Sequence, residues 1–179
     1  RITEERGAFR ADQFHLPGAA NAHEHGTGAE LWRQAKGAID LFCEFVGTGS
    51  TFVGVSRHLK AQNPDIACYL VEPEGAAALA GKEVVNPSHR IQGGGYSMRE
   101  LVGIDAKLVD GMIEVSDEAA IEAARRLART EGIFAGFSAG ACVAGAEHLL
   151  TNDYPGATAA VVLADSGMKY LTTDLWSKV

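Results

Sequence analysis

One serine stands between two glycines at the start of a predicted helix. The segment 136–140 reads GFSAG and places Ser138 after the apolar run 131–135 and before the apolar helical pattern of 141–150. A serine in a G-x-S-x-G turn between a strand and a helix is typical of a hydrolytic nucleophile. Such a serine also needs a histidine that accepts its proton.

The positions of the histidines do not favour hydrolysis. Only His148 follows Ser138, within the helix that the serine begins. The other histidines all precede the serine: His15, His23, His25, His58 and His89. Catalytic triads occur in several chain orders, so a hydrolase stays open as an alternative. A plainer role for Ser138 is that of an N-cap, whose hydroxyl accepts a hydrogen bond from a free backbone N–H group.

A second candidate site is a glycine-rich turn between an apolar run and a helical pattern. It consists of Gly47, Thr48, Gly49, Ser50 and Thr51. Glycines allow the backbone to approach an anion closely, and the N–H groups at a helix start favour negative charge. The hydroxyls add donors, so the turn has the chemistry of a phosphate monoester site. No lysine follows the glycines as in a P-loop, and a tight turn without a ligand is the alternative.

Two histidines are candidate metal ligands, and three cysteines are candidate thiols. His23 and His25 are spaced like two metal ligands on one face of a strand, but no third ligand is evident, and a solvated loop is the alternative. The cysteines, Cys43, Cys68 and Cys142, lie in apolar surroundings at wide spacings. That pattern is typical of reduced thiols in a core, and it predicts a cytoplasmic protein.

The composition is that of a globular domain with a hydrophobic core. The 179 residues are 46% hydrophobic and 22% charged, and the net charge is −7. No cluster of Lys and Arg occurs, so no nucleic-acid partner is expected. No apolar run reaches the roughly 18 residues of a membrane span, and the N-terminus lacks a signal-peptide pattern, so no membrane partner is expected either.

Apolar runs and helical patterns alternate along the chain. Strands are predicted over 41–46, 66–73, 131–135 and 157–165, and helices over 51–62, 74–81, 117–131 and from the GFSAG turn onwards. The helix 117–131 is the clearest, because Ser116 is placed as its cap and Gly132 ends it. The alternation predicts an α/β fold with a mostly parallel sheet flanked by helices. Ligands of such sheets bind beyond the carboxyl ends of the strands, where both turns are expected.

Seven motifs, in order along the chain, resemble a known enzyme family. They are DQF (12–14), TGAELW (27–32), VGTGST (46–51), VEP (71–73), HRIQGGG (89–95), EGIFAGFSAGA (131–141) and DSGMKYLTTDLW (165–176). The set is similar to the pyridoxal 5'-phosphate (PLP) enzymes of fold type II, above all to cysteine synthases (O-acetylserine sulfhydrylases) and cystathionine β-synthases. The resemblance covers nearly the whole chain. It implies that residues 1–179 form the large C-terminal, PLP-phosphate-binding domain of the tryptophan-synthase-β-like fold.

The resemblance implies cofactor-binding roles for both turns. Gly47, Thr48, Gly49 and Thr51 match the loop that holds the phosphate of PLP, and Ser50 replaces a glycine of that loop. Ser138 matches a serine that hydrogen-bonds the pyridine nitrogen of PLP. By this interpretation Ser138 tunes the electronics of the cofactor and is not a nucleophile.

The resemblance also implies substrate-binding residues and a reaction. Gln13 matches a glutamine that holds the substrate carboxylate, and Gly93 and Gly95 match a glycine loop beside the substrate. Gly94, Tyr96 and Ser97 depart from the cysteine-synthase pattern. The implied reaction is β-replacement, in which O-acetylserine or a related activated serine and a sulfur nucleophile give cysteine or a β-substituted alanine.

The last implication concerns the lysine that binds PLP. In the family it lies N-terminal to the matched stretch, and none of this chain's lysines stands in its motif: Lys36, Lys60, Lys82, Lys107, Lys169 and Lys178. No catalytic residue is therefore expected in this chain. The expected partners are a complementary N-terminal segment, covering an unpaired sheet edge, and a second copy in a homodimer of the whole enzyme. A non-catalytic module that acts by protein association is the alternative.

Overall fold

Four parallel strands form a sheet in the part of the chain that the computed structural model describes, residues 1–101 and 103–177. They are β1 (Leu41–Phe45), β2 (Ala67–Pro73), β3 (Gly111–Val115) and β4 (Ala159–Val161). The spatial order is β3-β2-β1-β4, and in the register of the central strand Phe42 lies opposite Cys68 and Ala160. The predicted α/β class with a mostly parallel sheet is confirmed.

Helices precede, connect and follow these strands. They are α1 (Ile2–Arg6), α2 (Pro17–Ala22), α3 (Ala29–Gln34), α4 (Ser50–Gln62), α5 (Asp117–Glu131) and α6 (Phe137–Asn152). A π-helical segment, His23–Gly28, joins α2 to α3, and single 3-10 turns occur at Ala106–Leu108 and Gly167–Tyr170. Within the described residues, no helix has the length and apolar character that crossing a bilayer requires.

The central strands are covered on both faces, which is why their sequences are apolar runs. Alternate side chains of a strand point to opposite faces. Leu41 and Cys43 pack in one cluster with Ala141 of α6, whereas Phe42 packs in the other with residues of α4. On that second face the rings of Phe42 and Phe52 stack with centroids 6.0 Å apart.

The predicted helix 117–131 is confirmed as α5, and its ends follow the expected chemistry. The Ser116 hydroxyl accepts a hydrogen bond from the Ala119 N–H group at 3.2 Å. Gly132 ends the helix in the left-handed conformation, with φ 69°. An N-cap hydroxyl and a C-terminal glycine each satisfy backbone groups that the helix leaves free. The helix predicted over 51–62 is also confirmed and begins one residue earlier, at Ser50.

The π-helical segment packs unusually closely on α4. Gly54 makes this possible, because a Cβ atom there would overlap the carbonyl oxygen of Ala20 and lie 2.6 Å from the Cβ of His23. The absence of a side chain at Gly54 therefore brings His23 against the first turns of α4.

The helix predicted over 74–81 is wrong. The segment after β2 consists of turns. The N–H groups of Leu79 and Ala80 donate to the carboxylate of Glu72, at 2.9 Å each. They are therefore not used in the backbone hydrogen bonds of a helix. Because Glu72 lies on the preceding strand, this contact competes directly with a helix that the alanine-rich sequence favours.

Two predicted strands differ from the structure. The run 131–135 forms only an isolated antiparallel bridge, between Ala135 and Ser166. The strand predicted over 157–165 is confined to β4, which is half-buried and forms one edge of the sheet in the described part of the chain. An edge strand forms backbone hydrogen bonds with a neighbour on one side only, so less of its apolar run is held in the sheet than in a central strand.

Candidate active site

A cavity of about 200 Å³ opens at the carboxyl end of β1. Its walls are the glycine-rich turn 47–51 except Ser50, the first turns of α4 and α6, the residues that follow β4, and Gly93. Both turns that the sequence singled out therefore line one cavity. The position agrees with the general rule that ligands of parallel sheets bind beyond the carboxyl ends of the strands.

The glycine-rich turn has a backbone suited to an oxyanion. Gly49 takes the left-handed conformation, with φ 85°, and Ser50 begins the regular helix α4, so the serine in place of the family's glycine brings no backbone strain. The first hydrogen bond of α4 runs from the Val53 N–H group to the carbonyl of Gly49, at 2.9 Å. The N–H groups of Ser50, Thr51 and Phe52 precede that bond and have no partner within the helix.

A second glycine segment forms the adjacent wall by direct backbone contact. The Gly95 N–H group donates to the carbonyl of Val46 at 2.9 Å. A Cβ atom at Gly94 would overlap that same carbonyl oxygen, and one at Gly47 would lie 2.9 Å from the carbonyl oxygen of Gly93. Gly93 lines the cavity, whereas Gly95 lines a small hollow beside it. Close packing therefore excludes a side chain at Gly94 and Gly95, whereas glycine at Gly93 is favoured by its positive φ of 101°.

Ser138 lies in the first turn of α6 with a half-buried side chain. The N-cap interpretation is wrong, because the cap residue is Gly136 and makes no side-chain cap hydrogen bond. A Cβ atom at Gly93 would lie 3.6 Å from the Ser138 hydroxyl oxygen, so the two walls of the cavity meet at this serine.

The hydrolase alternative lacks its general base. None of the described residues that line the cavity is a histidine. His148 is exposed on α6, where the side-chain amide of Asn152 donates to its backbone carbonyl. A serine without an adjacent base is a poor nucleophile.

One charged residue of the cavity, Glu44, was not predicted from the sequence. Glu44 is 6% exposed, lines the cavity, and its Oε2 atom has no hydrogen-bond partner in the described part of the chain. Burial raises the pKa of this carboxyl to about 8, and the backbone N–H group of Val162 opposes that shift. The available signal was one acidic residue in the otherwise apolar run 41–46.

The cysteine in the cavity wall is a core thiol. The backbone N–H group of Phe45 donates to the sulfur of Cys142 at 3.1 Å. Burial, with a smaller contribution from Glu44, raises the pKa of the Cys142 thiol well above its usual value. All three cysteines are free and buried, as the sequence predicted. A buried neutral thiol is inert as a nucleophile.

His23 contacts the glycine-rich turn through Thr51 and does not line the cavity. Its Nε2 atom lies 3.3 Å from the Thr51 hydroxyl, and its Nδ1 atom lies 3.0 Å from the Thr27 hydroxyl. The solvated-loop interpretation is therefore wrong for His23, whereas His25 is exposed. Burial lowers the pKa of His23 and favours the neutral ring. Within the described residues no group of three metal-ligating side chains occurs, so nothing supports a metal site here.

The predicted substrate residue Gln13 and the described lysines lie away from the cavity. Gln13 is exposed and does not line it, although the ring of the next residue, Phe14, contacts Tyr96 with centroids 5.9 Å apart. The substrate residue implied by the resemblance thus lies on a segment beside the second glycine wall. No lysine lines the cavity in the described part of the chain, and Lys178 lies outside that part.

The residues present fit the phosphate of the expected cofactor. They provide backbone N–H groups at a helix start, the hydroxyls of Thr48, Ser50 and Thr51, and a cradle at Gly47 that a side chain would fill. The Thr48 hydroxyl donates to that of Ser50 at 3.3 Å, which links the hydroxyls of the turn. A donor set of this kind binds oxyanions without a cationic side chain.

Comparison with protein families gives one match over most of the chain. Residues 1–165 match the family described as pyridoxal-phosphate dependent enzyme. Cysteine synthase A of Escherichia coli (strain K12) is 41% identical over 172 residues, which cover 92% of this chain and 53% of that protein. Cysteine synthase of Staphylococcus aureus (strain Mu50) is 38% identical over 178 residues, covering 98% and 56%. The chain spans about half the length of these curated relatives.

Solved structures agree with this match. O-acetylserine sulfhydrylase isoform 3 of Entamoeba histolytica superposes with a TM-score of 0.91 at 30% identity, covering 99% of this chain and 53% of that one. O-ureido-L-serine synthase superposes with a TM-score of 0.89 at 34% identity, covering 99% and 56%. The similarity thus extends over nearly the whole of this chain and about half of each of those chains.

Proposed function

Because the chain belongs to the pyridoxal-phosphate dependent enzyme family, we propose that it forms the cofactor-phosphate-binding domain, over residues 1–179, of a cysteine synthase-like enzyme. The observation that carries the proposal is the meeting of two helix starts at one cavity. The turn before α4 and the first turn of α6 both line it, at the carboxyl end of the central strand. The named relatives, cysteine synthases at about 40% identity, support the choice of reaction.

The glycine-rich turn is the proposed phosphate site. Its residues, Gly47, Thr48, Gly49, Ser50 and Thr51, offer hydroxyl donors and N–H groups that lack a partner within the helix. Ser138 would face the pyridine nitrogen of PLP and hold it with a neutral hydroxyl. PLP, when bound, supplies an electron-withdrawing ring that allows the β-substituent of an amino acid to leave. The chain's own contribution is to position that ring and to neutralise the phosphate with dipoles.

The proposed substrates are O-acetylserine, or a related activated serine, and a sulfur nucleophile such as sulfide. Gln13 would hold the substrate carboxylate, with Gly93 and Gly95 beside the amino acid. Because Gln13 is exposed and outside the cavity, a substrate held there would lie towards the mouth of the site, above the second glycine wall. An exposed glutamine side chain has the reach and the two N–H donors that a carboxylate needs.

The lysine that binds PLP would come from a complementary N-terminal segment. The absence of any described lysine from the cavity lining supports this assignment. We also propose that the whole enzyme is a cytoplasmic homodimer, a proposal that rests on the resemblance and on three buried, unpaired thiols.

The test uses the complete protein that carries this chain, reduced with borohydride, which links PLP permanently to the lysine that binds it. Denaturing mass spectrometry should find the PLP mass on a lysine outside residues 1–179, and O-acetylserine with sulfide should give cysteine. The absence of PLP from every polypeptide would contradict the proposal and favour a module that acts by protein association. A serine-reactive phosphonate should leave Ser138 unlabelled, and labelling would support a hydrolase.

A further inference from the structure

Glu44 is an unusual residue for its position. It lies in the central strand β1, whose five residues are all buried, and it is the only charged one among them. Alternation along β1 places Glu44 on the same face as Phe42, the face that α4 covers. The carboxyl therefore lies beneath the helix that begins with the glycine-rich turn, and Glu44 and that turn line the same cavity.

Among the described residues, no charged group compensates Glu44. Its Oε2 atom has no hydrogen-bond partner in the described part of the chain, and the described lining contains no Lys, Arg or His. Around it, β2 places Leu70 opposite, and the first turns of α4 carry no ionisable residue. The nearby groups that titrate are two buried thiols, Cys43 beside it and Cys142 on α6.

Groups further from Glu44 are engaged elsewhere. Asp165, after β4, accepts a hydrogen bond from the Tyr170 hydroxyl through Oδ2, while its Oδ1 atom is buried without a partner in the described part of the chain. His23 contacts the Thr51 hydroxyl and does not line the cavity. The Val162 N–H group interacts with the Glu44 carboxyl, but a buried carboxyl oxygen without a partner is costly, and a ligand in the cavity would satisfy it.

We propose that the Glu44 carboxyl donates a hydrogen bond to the oxyanion that the glycine-rich turn binds, and is thus a further cofactor-contacting residue. The inference rests on the proposed function, because it takes that oxyanion to be the phosphate of PLP. An ionised carboxylate in a lining without cations would repel a phosphate, whereas a neutral carboxyl donates to it. Burial, which raises the pKa of Glu44 to about 8, keeps the neutral form at pH 7.

A pH dependence of ligand affinity follows. Below about pH 8 Glu44 carries its proton and donates. Above that pH the ligand-free protein carries the carboxylate, which must take up a proton before it can donate. The binding constant therefore falls about tenfold per pH unit, until binding to the carboxylate form dominates.

The experiment measures the affinity of the complete protein for pyridoxine 5'-phosphate by calorimetry, from pH 6.5 to 9.5. This probe carries the phosphate but has no aldehyde, so it forms no covalent bond with a lysine. Wild type is compared with Glu44→Gln, which keeps an N–H donor and cannot ionise, and with Glu44→Ala, which removes the donor. Glu114→Gln is the control, because Glu114 lies on β3, outside the cavity lining, and pairs there with Lys82.

Wild type and Glu114→Gln should lose affinity above pH 8. Between pH 8 and pH 9.5 their affinity should fall at least tenfold more than that of Glu44→Gln. Glu44→Ala should bind about tenfold more weakly than wild type at pH 7. Parallel pH profiles for wild type and Glu44→Gln, or an unchanged affinity of Glu44→Ala at pH 7, would overturn the inference and leave the proposed function intact. No binding by any variant, with circular dichroism showing folded protein, would overturn both.

Discussion

The imidazole of His23 holds the hydroxyl of Thr51, although 28 residues separate them in the chain. Their Nε2 and Oγ1 atoms lie 3.3 Å apart, and the opposite ring nitrogen is held by Thr27 at 3.0 Å. The contact joins the π-helical segment to the glycine-rich turn. It orients a hydroxyl that belongs to the proposed phosphate site.

Replacing His23 with alanine should weaken phosphate-ester binding through Thr51. We expect His23→Ala to lose about fivefold in affinity for pyridoxine 5'-phosphate, which corresponds to one neutral hydrogen bond. Thr51→Ala should lose at least as much, and the double variant should lose less than the two single losses combined. His25→Ala is the control, because His25 is exposed on the same segment. Fully additive losses would show that the two residues act independently.

Removing the Ser138 hydroxyl should affect turnover more than cofactor retention. We expect Ser138→Ala to lower kcat with O-acetylserine and sulfide about tenfold, because the ring nitrogen of PLP loses its hydrogen bond. The affinity for the phosphate should change little, since the glycine-rich turn holds that group. Steady-state kinetics and calorimetry of the same preparation separate the two effects. An unchanged kcat would remove Ser138 from the site.

The second glycine wall should be sensitive to a single methyl group. A Cβ atom at Gly94 would overlap the carbonyl oxygen of Val46, so Gly94→Ala should lower the free energy of unfolding by about 2 kcal/mol. Gly18→Ala is the control, because Gly18 lies in α2 with no atom within 4 Å of an added Cβ. That change should be neutral or stabilise slightly, as alanine favours a helix. Equal effects in chemical denaturation would contradict the packing argument.

The buried carboxyl should make stability depend on pH. The folded state raises the pKa of Glu44 from 4.5 to about 8, so between these values it binds more protons than the unfolded state. The free energy of unfolding therefore falls as the pH rises through this window, by about 1.4 kcal/mol per pH unit, and this loss ends above pH 8. Glu44→Gln has no ionisable group at this position, so its free energy of unfolding lacks this decrease. Its stability relative to wild type should therefore rise progressively between pH 5 and 8. Urea denaturation of the ligand-free protein at pH 5, 6.5 and 8 measures the difference.

Much of the fold was predictable because local signals agreed with the final packing. The apolar runs at 41–46 and 66–73 became the central strands, since a parallel sheet covered on both faces demands apolar residues throughout. Helix α5 was predicted by its Ser116 cap and its final glycine. By contrast, the alanine-rich segment 74–81 did not form a helix, because Glu72 of the neighbouring strand captures two of its N–H groups.

The candidate site was predictable where backbone geometry decides and unpredictable where distant contacts decide. The glycine-rich turn and the Ser138 turn were identified from the residue types at strand and helix ends. The interaction of His23 with Thr51 was missed, because it depends on the close packing that Gly54 allows. Glu44 was counted within an apolar run, since nothing local shows that its strand face meets a cavity.

The sequence by itself determined the alternation of strands and helices, the two turns and, through seven motifs in order, the family. These features depend on local propensity and on spacing, which act over a few residues. Only the tertiary structure decided that both turns line one cavity, that Gln13 lies outside it, and that Glu44 is buried there with its Oε2 atom unpartnered in the described part of the chain. The physical reason is that burial, and the pKa it raises, depends on groups brought together from distant parts of the chain.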